Sequence, residues 1–352
     1  MIDTIIQIGL EIYKNRDKIN KVFHPKYLNY DLTTLLSYYI DESLVDRKIP
    51  YVELCNLTNN YKNIKISFIQ NDFKLGNNNQ IAIKKFQVNA LKEFEQKGKF
   101  TFDSKTVRLN NFKINGNEVF LEIQKSKYSD QVQSHLVLDW QNKALQDIGN
   151  STLRGVLISK YGHKLPPLNS NILSNSIGIS CIIYYQKNGR LIPYLPFRNK
   201  STFKKKRNEP AIYEGIYHCS SSGVLEWKDN IESMKNIQEE MTREIEEEIG
   251  LIKNDIISLE PIAITREILR AGKPQIFFIG FTSLNEKQLV EKRKLAVIKS
   301  KKNKDKVEIR NRHLNLDNKN FNIGNTIISL EAIGNLYYCN KYLKKNGREQ
   351  KI

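Results

Sequence analysis

Arg243-Glu244-Ile245-Glu246-Glu247-Glu248-Ile249-Gly250-Leu251 is the stretch on which the reading of this chain turns. Glu244, Glu247 and Glu248 stand at i, i+3 and i+4, so a helix places three carboxylates on one face. Ile237, Met241, Ile245 and Ile249 recur on a neighbouring face and predict a buried stripe. Gly250 is the residue type that a helix C-terminus favours. Three unpaired carboxylates this close repel one another, and a hard divalent cation relieves that repulsion. Oxygen ligands on a rigid helix suit Mg²⁺, with Mn²⁺ as a substitute.

The pattern R-E-(aliphatic)-x-E-E-x-G-(aliphatic) resembles the core of the Nudix box, the signature of metal-dependent hydrolases of nucleoside diphosphates linked to another group. The upstream half departs from the family's Gly, five residues, Glu, seven residues, Arg. Here Gly223 is followed after five residues by Asp229, and thirteen more separate Asp229 from Arg243, which is six extra. The resemblance implies that Glu244, Glu247 and Glu248 hold the metal, with Glu247 and Glu248 as the first choice. Glu244 is a further ligand or orients the water. The carbonyl of Gly223 is another ligand by the same resemblance. Arg243 is expected to tie the helix to the preceding loop through an acidic partner such as Asp229. A further catalytic glutamate outside the box is sought among Glu267, Glu286 and Glu291.

Working outward, the 352 residues suggest two domains, or one with a large elaboration. The apolar share, 40%, is ordinary for a globular protein, and no run is long enough to span a membrane. Cys55, Cys181, Cys219 and Cys339 are scattered without a CxxC pair, which reads as reduced thiols in a cytoplasmic protein. The net charge of +18 points to an anionic partner. Its two dense runs, Lys204–Arg207 and Lys292–Arg312, lack the interleaved aromatics of a single-strand binder, so solvated loops are favoured over a nucleic-acid surface.

In chain order, residues 1–60 read as a helical amino-terminal segment with a packing or dimerisation role. Residues 61–165 read as an α/β elaboration. It holds a strand at Ile64–Phe68, a helix from Ile83 to Gln96, and a hairpin about Asn115-Gly116-Asn117. Pro166-Pro167 and the Asn/Ser-rich stretch to Ser176 read as a linker. A unit over 170–345 follows. It has strands at Ile177–Tyr185 and Leu191–Leu195 turned by Lys187-Asn188-Gly189, a third at Tyr213–Cys219, then the acidic helix. Strands at Ile256–Ile264 and Gln275–Phe281 come next, then a loop over 292–312 and a last helix capped by Ser329.

That order resembles the Nudix α/β/α sandwich. The order of elements upstream resembles the amino-terminal elaboration of Nudix hydrolases that cleave uridine diphosphate glucose, over about residues 62–345. This second resemblance makes Tyr128 and Arg198 candidate substrate contacts. The expected function is hydrolysis of the diphosphate in a small nucleotide substrate such as a UDP-sugar, in the cytoplasm and away from any membrane. The alternatives are a non-hydrolytic nucleotide-binding module and RNA-end (cap) processing.

Overall fold

The computed structural model describes residues 39, 49–58, 63–76, 81–96, 102–198, 216–229, 231–302, 309–314 and 328–347, with the backbone alone at 198, 300–302 and 309–312. The amino-terminal helices expected before Tyr39 and the run Lys204–Arg207 lie outside these residues.

The main sheet is built on two long apolar strands, β5 (Gly178–Lys187) and β10 (Lys273–Thr282), which pair in parallel. Its order is β1 (Tyr51–Asn56), β9 (Ile256–Glu267), β10, β5, β6 (Arg190–Tyr194), with the short strand β8 (Ser221–Val224) also on β5. β8 pairs the first half of β5 and β6 the second, so both lie along the edge opposite β10. Asn188 (φ 51°) and Gly189 (φ 75°) make the two-residue turn between β5 and β6, as Lys187-Asn188-Gly189 predicts.

Alternation assigns the two faces. Ile182 and Tyr184 of β5, with Phe277, Ile279 and Phe281 of β10, pack on helix α6 (Leu330–Lys345) through Leu330, Ile333, Leu336 and Leu343. Ile179, Cys181, Ile183 and Tyr185, with Ile276 and Phe278, pack on helix α4 (Met234–Ile249) through Ile237, Met241, Ile245 and Ile249. A helix therefore covers each face, and each buried Ile or Phe contributes about 1.5–3 kcal/mol. Ser329 caps α6 by accepting from the backbone N–H of Ala332 at 3.0 Å, as expected.

Upstream, β3 (Lys105–Asn115) and β4 (Glu118–Lys127) form the predicted hairpin, and β2 (Asn63–Ile69) adds in parallel to β4. Val107, Leu109, Val119, Leu121 and Ile123 share one core with the α4 stripe. A separate core gathers α1 (Ile81–Gln96), α2 (Tyr128–Val132) and α3 (Leu153–Tyr161) around Phe86, Trp140, Leu157 and Ile172.

Four expectations are corrected. Tyr51–Asn56 is a strand rather than the end of a helical segment, because it pairs antiparallel with β9 far along the chain. The stretch 170–176 is no open linker. Ile172, Leu173, Asn175 and Ser176 are fully buried, and the Arg108 guanidinium donates to the carbonyls of Leu168 (2.7 Å) and Ser170 (2.9 Å). The basic stretch begins within helix α5 (Glu286–Lys302), whose Leu289, Arg293 and Ala296 turn inward, and ends in β11 (Ile309–His313) on β7 (Pro196–Arg198). Finally, the described part of Tyr213–Cys219 forms only bridges at Tyr217, and the strand runs at Ser221–Val224 instead.

Candidate metal centre on the acidic helix

Helix α4 starts where Asn236 accepts from the backbone N–H (3.1 Å) and hydroxyl (2.8 Å) of Ser233. It stops at Gly250, whose φ of 78° suits the residue without a Cβ. Burying the aliphatic stripe turns the carboxylates toward β8 and the loop that follows it.

Glu244 and Glu248 meet β8. A Cβ placed on Gly223 would lie 2.7 Å from Cδ of Glu244, so the Glu244 carboxylate packs against bare backbone. The N–H of Ser222 donates to Glu248 Oε2 at 2.8 Å. Of the predicted set Glu244, Glu247, Glu248 and Gly223, three are thus brought together: Glu244, Glu248 and Gly223. Glu247 is turned elsewhere: its side chain is 59% exposed and accepts from Arg243 Nη1 at 2.6 Å.

Arg243 is the hub. Its Nε donates to Glu240 at 3.1 Å and its Nη2 to Glu244 at 2.8 Å, and the Nη2–Glu226 separation is 3.5 Å. Burial pulls its pKa down, but Glu247, Glu244 and Glu240 outweigh this and hold it above its ordinary value. The expected loop partner was Asp229. The geometry gives that role to Glu226, while Asp229 accepts from the Trp227 indole at 3.1 Å. The reason is local. Leu225–Trp227 is pinned along β3, with Val107 N–H on Leu225 O (2.9 Å) and Trp227 N–H on Lys105 O (3.0 Å), which carries Glu226 to Arg243. The segment after β8 therefore reaches the site along the upstream sheet.

The electrostatics fit a cation. Glu226, Glu240, Glu244 and Glu247 share one region, partly neutralised by Arg243 and by Lys228, which contacts Glu240, while Glu248 meets β8 and attracts the buried Arg293. Burial, with Glu247, Glu226 and Glu240 nearby, pushes the Glu244 pKa up to about 7 although Arg243 opposes it. Burial is the larger cause, and a bound cation would offset its cost to the charged form. The donor set is all oxygen, as a Mg²⁺-class ion needs.

Tyr128 opens α2 and packs on the Phe86–Trp140 core, which supports a packing role. Arg198 has its backbone on β7 facing Ile309, and its side chain lies outside the described residues. Glu286 is paired with Lys187 (2.8 Å) and His313 (2.7 Å), and Glu291 is exposed beside Lys294 (3.6 Å). Glu267 is buried next to Arg270 at 3.6 Å. Sequence reasoning missed Glu240, Ser222 and Glu226. Glu240 was readable as the residue one turn before Glu244. Nothing in the sequence signals the other two, because the β8 register and the pinned loop place them.

No helix among the described residues is long and apolar enough to cross a membrane. No family model matches the chain, and no curated protein matches it. Among solved structures, the crystal structure of a mutT/nudix family protein from Listeria innocua is similar over 49% of this chain and 96% of that chain, at 16% identity and a TM-score of 0.31. The chemistry assigned to the acidic helix accordingly stands on this chain's own residues.

Proposed function

We propose that the chain is a divalent-metal-dependent pyrophosphohydrolase of the Nudix type, acting on a nucleoside diphosphate linked to another group. The observation that carries this reading is the meeting of Glu244 and Glu248 with the backbone of Ser222 and Gly223. It unites the two halves of the motif despite the six extra residues between them. Glu244, Glu248 and the Gly223 carbonyl would hold the cation, with Glu247 at the exposed rim. A bound Mg²⁺ supplies charge neutralisation at the diphosphate and a more acidic water. The chain's own residues do the rest. Ser222 N–H aims one oxygen of Glu248. Arg243 stands between Glu244 and Glu247 and holds both carboxylates. Glu226 and Glu240 anchor Arg243 in turn, so its fork stays fixed. Within this class a uridine diphosphate sugar is the first substrate to test, motivated by the order of elements over 62–165.

The test is a screen of nucleotide sugars, dinucleotides and capped RNA with Mg²⁺, read by product masses. Cleavage between the phosphates of one class supports the reading and names the substrate. Tight binding of a nucleotide with no turnover would move the chain to the non-hydrolytic class.

A further inference from the structure

We infer that His218, Cys219 and Glu331 form a second cation site, of the zinc rather than the magnesium class. The three come from the segment entering β8 and from the first turn of α6. Their donor atoms lie within 4.8 Å of one another, and all three residues are buried. In a tetrahedral zinc site such donors are about 3.5 Å apart, so closing on an ion needs a shift of about an ångström.

Each of the three donors is also held from behind. Ser329 Oγ stands 2.5 Å from Nδ1 of His218, which leaves Nε2 facing Glu331 Oε2 at 3.9 Å. Gln275 donates to the other carboxylate oxygen of Glu331, Oε1, at 3.2 Å. Ser180 Oγ receives the amides of Gln275 (3.2 Å) and Asn335 (3.3 Å), and its own hydrogen bond runs to Cys219. Metal ligands are held in this way, each fixed through the atom or side that does not bind. Nε2 also lies 3.0 Å from Ser222 Oγ, a hydrogen bond that a bound cation would replace, with a water as its fourth ligand.

The mixture of imidazole, thiolate and carboxylate selects Zn²⁺ or Co²⁺ over Mg²⁺, which keeps to oxygen. The site is separate from the α4 carboxylates in its donors, yet Ser222 touches both: its hydroxyl meets His218 and its N–H holds Glu248. A cation here would clamp the start of β8 to α6.

The test uses the full chain, stripped with a chelator and then given Co²⁺ in excess Mg²⁺. One Co²⁺ per chain should bind with a thiolate-to-cobalt charge-transfer band and the strong visible bands of a four-coordinate ion. Zn²⁺ should erase both, Cys219→Ser should lack the charge-transfer band, and Glu248→Gln should keep it. Near-ultraviolet circular dichroism checks that Cys219→Ser is folded, and the wild-type spectrum decides even without that variant. No charge-transfer band in the wild type at saturating Co²⁺, or a band that survives in Cys219→Ser, overturns the site. Because the spectrum is read without substrate, either result leaves the hydrolase reading to its own test.

Discussion

The carboxylate of Glu244 rests on the backbone of Gly223, so closely that a methyl group on Gly223 would fall 2.7 Å from its Cδ. Helix α4 and strand β8 are thereby locked at the one point where the proposed metal would sit. Gly223→Ala must move Glu244, β8 or both. We expect turnover to fall about 10- to 100-fold, since misplacing a reacting group by about 1 Å costs on that order. Overpacking should also cost about 1–3 kcal/mol of stability. Calorimetry and kinetics on the same preparation check both effects, and an unaltered Mg²⁺ dependence in the variant contradicts the packing argument.

Glu244 should make the metal-free protein less stable as pH rises. Its folded pKa, about 7, lies above the ordinary carboxyl value of 4.5 because of burial and its acidic neighbours. The folded state therefore holds this proton more tightly than the unfolded state. Stability from this group is complete below pH 4.5 and is lost as pH climbs to 7, by about 3 kcal/mol in total. Chemical denaturation with chelator at pH 5 and pH 8 should show the decline. Glu244→Gln should flatten it, and Mg²⁺ should stabilise the wild type more at pH 8 than at pH 5. A Glu244→Gln protein with the wild-type slope removes Glu244 as its source.

Arg243→Lys should lose most of the site's order while keeping its charge. An ammonium cannot reach Glu240, Glu244 and Glu247 together, as the guanidinium does at 3.1, 2.8 and 2.6 Å. The buried Glu240 then depends on Lys228. A stability loss of about 1–3 kcal/mol and a marked drop in turnover are expected. Equal activity in Arg243→Lys would show that positive charge alone suffices.

The positive charge of α5 should be dispensable for a small substrate. Lys294 and Lys299 are exposed on that helix, on either flank of its inward-turned Arg293. Replacing both by Gln should leave hydrolysis of a nucleotide sugar unchanged. If capped RNA is the substrate, the same change should flatten the salt dependence of binding, because each phosphate contact adds to that slope.

How much of this was legible in the sequence depended on how local the signal was. Helix α4 was readable in full, because its stripe, carboxylate spacing and terminal glycine all lie within a few turns. The hairpin turns at Gly116 and Gly189 were readable for the same reason, and both glycines adopt positive φ. Helix α5 was hidden by its own core: Leu289 and Ala296 flank Arg293, which is completely buried and donates to Tyr194 Oη at 3.2 Å. A guanidinium at a core position breaks the apolar period on which the eye relies. Strand β1 was hidden by distance, since Tyr51 finds its ladder partner at Glu267. Glu226 was hidden by distance as well. Its place beside Arg243 follows from a loop laid along β3, which no spacing within the motif encodes.

If the α4 carboxylates hold the cation that drives diphosphate cleavage, Glu248 is the residue at which this shows most directly. Its Oε2 is fixed by Ser222 N–H at 2.8 Å, so Glu248→Gln keeps the shape and removes the charge. The measurement is the Mg²⁺-dependent turnover of Glu248→Gln on whichever nucleotide the screen identifies, beside the wild type at matched Mg²⁺. A loss of at least about 100-fold is expected, on the scale of removing a group that stabilises developing charge, with the fold intact by circular dichroism. Turnover within a few-fold of wild type would contradict it and move the chemistry away from this helix.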